Sequence, residues 1–231
     1  MSHRRLRPTN PAALLPLALL LLPLAYVLTL ARSVVFGDPT EYTFVAHILG
    51  IAHPPGYAFY TLLGKLFQTL VPLGEVSWRM HLLSAAVATG TALFIYGTVR
   101  AAARMLLPAL HAPWDRVAAV FAALSYGLAA DVWQHAIHAN PHIVTAAFLA
   151  ANLFFLTRWA AGGTARPRWL YAFALSAGLG VTHHPLTVMS FPAYAVFILL
   201  VRPRIWREWR VWLGMAGCAL LGLAVWLYFP I

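Results

Sequence analysis

The chain has 231 residues, 61% of them hydrophobic and only 10% charged, and a mean hydropathy of +0.74. Soluble domains are roughly half apolar and a quarter charged, so composition excludes an ordinary globular protein and points to the bilayer. The net charge of +10 suggests a nucleic-acid partner at first sight, but the arginines fall in short clusters between apolar runs rather than on one surface, which excludes that reading in favour of membrane orientation.

Several apolar runs approach or exceed the about eighteen residues needed to cross hydrocarbon. In lipid the backbone must satisfy its own hydrogen bonds, so the fold class is an all-α polytopic membrane protein. The amino terminus is basic (His3, Arg4, Arg5, Arg7) and an apolar run follows over 11–31. That run exceeds the roughly seven to fifteen residues of a signal-peptide core and no A-x-A cleavage site follows, so it reads as an uncleaved first span. Six further spans are expected over 81–100, 117–131, 143–159, 169–183, 186–201 and 211–229, the short ones tilted or partly immersed. The single cysteine, Cys218, lies in the last of these, rules out an intrachain disulfide and reads as a packing residue.

Seven spans with the amino terminus in the cytoplasm put thirteen of the sixteen basic residues inside and leave only Arg32, Lys65 and Arg79 outside. The same topology gathers Asp38, Glu41, His47, His53, His81, Asp131, His135, His138, His142, His183 and His184 at the extracytoplasmic (periplasmic, in a bacterial inner membrane) face, and puts His3 and His111 inside. Chemistry is therefore expected on the outer face, above all in the long connection 32–79. No internal repeat supports an inverted-repeat transporter.

That connection opens with Asp38-Pro39-Thr40-Glu41, which reads as a capping box: Asp at N-cap, Pro at N1 and Glu at N3. The mostly apolar residues 42–52 suit a helix lying in the interface. His53-Pro54-Pro55-Gly56-Tyr57 then breaks that helix, because the residue before a proline leaves the α region and Gly allows a sharp turn. A second short helix over 58–71 carries one cation, Lys65, read either as a snorkelling surface residue or as a phosphate ligand. His135, His138 and His142 have helical i, i+3, i+7 spacing that suits zinc or copper, but Pro141 interrupts the helix and no H-E-x-x-H acid accompanies them, so no metal ligands are assigned.

The run Gly37-Asp38-x-x-Glu41, then Leu49-Gly50-Ile51-Ala52-His53-Pro54-Pro55-Gly56-Tyr57, then Tyr60-Thr61-Leu62-Leu63-Gly64-Lys65-Leu66-Phe67, resembles the bacterial and eukaryotic family related to the plexin-receptor protein O-mannosyltransferase. Trp78-Arg79-Met80-His81-Leu82-Leu83-Ser84 is similar to that family's Trp-Arg-x-Asn-Leu-Leu-Ser segment, with His81 in place of Asn. Thr182-His183-His184 is similar to its Thr-His-His segment. The likeness runs through most of the chain and is densest from Gly37 to Ala85.

The resemblance implies a bundle like that of the GT-C glycosyltransferases, a single module over 1–231 that forms the N-terminal part of a longer architecture. It implies transfer of a mannose-like sugar from a polyprenyl phosphate to an acceptor hydroxyl of a protein or glycan, on the outer face and with inversion. Such a reaction needs a base for the acceptor proton and donors for the leaving phosphate. Asp38 is the expected base and Glu41 its orienting partner. His53, Tyr57, Lys65, Arg79, His183 and His184 are the expected substrate-binding residues, with Arg79 on the carrier phosphate. Two alternatives stand beside these roles: Arg79 as a headgroup anchor, and His183 and His184 as caps before Pro185. A divalent metal is left open as a cofactor.

One departure stands out. Where the family has Ala-Glu-Val-Tyr, this chain has Ala139-Asn140-Pro141-His142, which sets a non-catalytic homologue beside the enzyme reading. A transporter is the other rival, disfavoured because the span centres are nearly free of ionisable groups.

Overall fold

The computed structural model describes residues 14–109, 113–162 and 166–229, all-helical with no strand among them. The basic residues Arg4, Arg5 and Arg7, together with His3, His111 and the start of the expected first span, lie outside the described residues. The described part of that span is a 3₁₀ turn, Leu15–Leu20, running into α1, Leu21–Thr29. Two short helices follow, α2 (Asp38–Ile48) and α3 (Ala58–Leu70), and then the longest element, α4, Val76–Leu106. After it come α5 (Trp114–Gly127), α6 (Ala130–Ala136), α7 (His142–Ala161) and α8 (Arg168–His183). A 3₁₀ turn, Pro185–Ser190, leads into α9 (Phe191–Val201), and α10 (Trp209–Leu223) closes in a further 3₁₀ turn to Tyr228.

Of the seven spans expected from hydropathy, three are helices long and apolar enough to cross a membrane: Val76–Leu106, His142–Ala161 and Trp209–Tyr228. α5 and α6 make a fourth if counted as one broken span, bent by 65°. The bend falls after Gly127, whose carbonyl accepts a 2.6 Å hydrogen bond from Tyr26 Oη. Prolines shorten the rest: α8 runs between Pro167 and Pro185, and its 16 residues rise only about 24 Å. Several apolar helices of this kind fit a multi-pass membrane protein.

α4 is the spine. At about 1.5 Å per residue its 31 residues span about 46 Å, and it packs against α5 on one side and α7 on the other. α7 packs on α8, and α8 on α10. The α8–α10 seam is held close by glycine: a Cβ at Gly222 would meet the Leu175 carbonyl oxygen at 2.7 Å, and one at Gly178 would strike the backbone of Ala219. Small residues at helix crossings are how apolar helices gain contact in lipid, where the hydrophobic effect between them is absent.

Chemistry separates along the bundle. At one end α4 and α5 meet through Arg100 and Arg104 on Asp115, and Arg158 of α7 lies over Trp169 of α8. At the other end the connections 30–37, 49–57 and 137–141 converge with the last residues of α8. Ala31 N–H donates to the Ile137 carbonyl and His81 bonds both Ser33 and Ala139. Tyr228 Oη donates to the Gly50 carbonyl at 2.7 Å. Arginine thus marks one end, and histidine with carboxylate the other.

Candidate active site

The start of α2 corrects the expected capping box. Gly37, with φ +87°, holds the cap position, Asp38 is already the first helical residue, and no side chain caps the helix. Thr40 N–H bonds the Gly37 carbonyl instead. Glu41 is unavailable for a box because its carboxylate has turned to His53, accepting from the backbone N–H at 2.7 Å and from Nδ1 at 2.9 Å. Those two bonds hold the Glu41 carboxyl below its ordinary range. The helix also ends before the Pro-Pro-Gly turn expected to break it. Leu49 adopts a left-handed conformation and Gly50 N–H closes on the Val45 carbonyl.

The His53–Gly56 turn is closed by Gly56 N–H on the His53 carbonyl at 2.9 Å, and Gly56 has φ +90°. Tyr57 follows with φ +47°, a left-handed conformation that costs a non-glycine residue about 1–3 kcal/mol and is kept only where surroundings over-determine it. The surroundings here are rings. Tyr57 is buried, with ring centroids 5.5 Å from Tyr42, 6.1 Å from His53, 6.5 Å from His142, 5.5 Å from His183 and 5.8 Å from His184. Burial raises its phenol above the ordinary range, and the nearby Asp38 charge adds to the shift.

Asp38 is different in kind from Glu41. It is exposed, and no hydrogen bond or ion pair engages its carboxylate among the described residues. It is a free acceptor beside a tethered one. Asp38, Glu41 and His53 each offer a ligand atom within 4.8 Å of the others, and two carboxylates with an imidazole suit a divalent cation. A cation there would have to displace the Glu41–His53 Nδ1 bond, after which Tyr42 Oη, 3.3 Å from His53 Nε2, would hold the switched tautomer.

The two histidines of α8 part company. His183 is fully buried and its Nε2–H donates to the Pro141 carbonyl at 2.8 Å, leaving Nδ1 unpartnered among Tyr57, Phe59, Tyr60 and Phe148. His184 uses Nδ1 to accept from Leu186 N–H at 3.3 Å, the cap reading, while its ring stays near Tyr57 and His142. The helix does break between His135 and His142, but it ends at Ala136, and Pro141 sits at the cap of α7. The fold nevertheless groups His135 with His138 and His142, at 6.0 Å and 6.4 Å between ring centroids.

Both cations expected at the phosphate are bound to the chain. Lys65 Nζ donates to the His47 carbonyl at 2.6 Å, tying α3 to the end of α2. All three guanidinium nitrogens of Arg79 have backbone carbonyl partners, on Gln68, Leu73 and Gly74. This favours an anchoring role in the α3–α4 turn over the open fork on a carrier phosphate.

Three residues matter more than the sequence suggested. Tyr42, one residue after the acid pair, stacks the hub together. His81 is a staple: Nδ1 accepts from Ala139 N–H at 2.8 Å, so the proton sits on Nε2 and bonds the Ser33 carbonyl at 3.0 Å. Asn140 Oδ1 accepts from His142 N–H at 2.8 Å and so caps α7.

Comparison with known proteins bears on this arrangement. Residues 38–207 match the model of the protein O-mannosyl-transferase TMEM260 N-terminal domain. The chain belongs to that family. The TMEM260 match begins at Asp38 itself and covers α2 through α9. Among curated relatives, protein O-mannosyl-transferase TMEM260 of Mus musculus is 30% identical over 211 residues, 89% of this chain and 28% of the relative. Its namesake in Dictyostelium discoideum is 25% identical over 217 residues, 87% of this chain and 25% of the relative. The chain thus spans about a quarter of the length of these TMEM260 relatives. No solved structure matches it.

Proposed function

We propose that this chain is the sugar-transferring membrane module of a protein O-mannosyltransferase, taking mannose from a polyprenyl phosphate at the histidine–carboxylate end of the bundle. The observation that carries the reading is the pairing of a free Asp38 with a Glu41 that is already spent on His53, at the rim of a ring-lined hub. Inverting transfer needs one carboxylate to accept a proton and a rigid frame to aim it. Glu41 supplies the frame and Asp38 the base.

The acceptor hydroxyl oxygen attacks the anomeric carbon as its proton passes to Asp38. The bond from that carbon to the phosphate oxygen breaks on the opposite face, and polyprenyl phosphate leaves with the electron pair. With Arg79 and Lys65 held by carbonyls, the neighbouring rings of His142 and His184 are the donors proposed to meet that phosphate. Below the hub a cavity of 390 Å³, lined by Phe59, Leu63, Val87, Phe94, Val144 and Phe148, runs between α3, α4, α7 and α8. It begins at the rings that touch His183, and its apolar walls suit an isoprenoid tail. Asp38, Glu41 and His53 are the residues that would hold a divalent cation, which would supply Lewis-acid chemistry in place of the Glu41–His53 tether.

Seven membrane crossings, with the amino terminus in the cytoplasm and the short helices α2 and α3 in the outer interface, are part of the same proposal. The alternation of connections between the arginine end and the histidine end supports it. The test is reconstitution in lipid with polyprenyl-phosphate mannose and acceptor polypeptide. Wild type transfers mannose and Asp38→Asn does not; equal transfer by both would remove Asp38 as base, and transfer by neither would return the non-catalytic reading.

A further inference from the structure

The arginine end holds a cavity of its own. Its volume is 410 Å³, and its walls include Tyr96, Arg100, Arg104, Phe154, Arg158 and Trp169, contributed by α4, α7 and α8. Three guanidinium groups therefore converge on one space, against a single carboxylate, the buried Asp115. Arg104 and Arg158 are exposed at its mouth and Arg100 is half-buried, so the cavity is open to an incoming anion, and three arginines from two helices share it.

How they are held matters. Arg100 and Arg104 both reach Asp115 Oδ2 through Nε, at 3.4 Å and 3.0 Å. Arg100 also donates from Nη1 to Tyr96 Oη at 3.2 Å. That leaves Nη2 of Arg100 and both terminal nitrogens of Arg104 without a partner among the described residues. Among the described residues the Arg158 side chain has a ring contact alone, 5.4 Å from the Trp169 centroid, and Arg168 lies 5.3 Å from the centroid of the same side chain. Asp115 thus positions two like charges side by side by their necks and leaves their forks open. Arg100 and Arg104 are one helical turn apart, where like charges repel.

From this we infer that the cavity binds a phosphate group, with Arg100, Arg104 and Arg158 as its ligands. Planar guanidinium forks match tetrahedral phosphate oxygens, where a Lys would offer only a point charge. Aromatic walls at the boundary of apolar helices suit the headgroup level of a bilayer, and basic clefts between membrane helices take anionic lipid headgroups. The shared chemistry is phosphate; an anionic phospholipid or a soluble phosphate would supply it.

The full chain, purified in neutral detergent, distinguishes these. Native mass spectrometry is run with phosphatidylglycerol and with phosphatidylcholine, and thermal unfolding is followed with inorganic phosphate alone. Two variants accompany wild type: Arg158→Gln, which removes a ligand whose side chain meets a ring alone among the described residues, and Arg207→Gln, an exposed arginine stacked on Trp206 outside the cavity. Wild type retains phosphatidylglycerol over phosphatidylcholine, Arg158→Gln weakens retention about five-fold, and Arg207→Gln leaves it unchanged. Stabilisation of wild type but not of Arg158→Gln by inorganic phosphate, without lipid preference, keeps the site and makes soluble phosphate its source. Equal lipid retention and equal phosphate response by wild type and Arg158→Gln, or equal weakening by Arg207→Gln, overturns the inference.

Discussion

At the scale of single residues, the proposed division of labour between Asp38 and Glu41 yields opposite signatures. Asp38 makes no contact the fold depends on, so Asp38→Asn should lower mannose transfer by about 10²–10⁴-fold while leaving the melting temperature within a degree or so of wild type. Glu41 should behave as a structural group whose value depends on pH. His53 depresses its folded pKa, so the carboxylate contributes stability that is fully present above its unfolded pKa of about 4.5 and is lost as pH falls through the lower folded value. Wild type and Glu41→Gln should therefore differ in melting temperature at neutral pH and converge as pH falls through the folded value. The effect is modest, because the Glu41 side chain is 39% exposed and solvent screens it. Curves that stay parallel through acid would mean that Glu41 does not hold the turn by its charge. These roles were partly legible. An acid pair three apart at a helix start announces itself in sequence, but which acid is free depends on His53, twelve residues beyond Glu41, turning back to meet it. The backbone partners of Arg79 had no such cue: carbonyls are present in every sequence, and only the turn's path brings Gln68, Leu73 and Gly74 to one guanidinium.

At the scale of elements, the hub is made by staples between distant connections, which sequence reading undervalues. His81 stands where the family has Asn, and its neutral imidazole does what a side-chain amide does: it accepts on one atom, from Ala139 N–H, and donates from another, to Ser33. Replacing it by Ala leaves Ala139 N–H buried without a partner, a loss of about 1–3 kcal/mol. His81→Asn should recover a large part of that loss in thermal unfolding, and His81→Ala should reduce transfer as the 137–141 connection shifts under His142. Recovery no better than Ala would show that ring volume, not bonding, is what the position requires. Helix lengths were legible for α7 to within two residues at each end, because an apolar run between polar ends has one reading. The capping box was not, since Gly37 can take a backbone conformation closed to Asp and so displaced it from the cap. Nor was the 65° break between α5 and α6, where the apolar run continues without a proline.

For the whole molecule, the two chemically distinct ends make a topological argument that hydropathy alone cannot complete. Only three helices, or four with the broken pair, satisfy a length criterion, yet the connections meet alternately at an arginine end and a histidine end. The proposed orientation, which follows the positive-inside rule, puts Arg100, Arg104 and Arg158 toward the cytosol and Asp38 outside. One native thiol, Cys218, makes this measurable after Cys218→Ala. A cysteine in place of exposed Val34 lies beside Ser33, whose carbonyl His81 holds at the histidine end; one in place of exposed Arg207 lies just before α10, on the arginine side. A membrane-impermeant maleimide applied to intact cells should label Val34→Cys and spare Arg207→Cys until the membrane is opened. Labelling of both from outside would mean that an odd number of the expected crossings between these positions is missing, most simply that the short Pro185–Val201 segment enters and leaves by the same face. Labelling of Arg207→Cys alone would invert the bundle and put Asp38 in the cytosol, away from the face where the proposed acceptor waits.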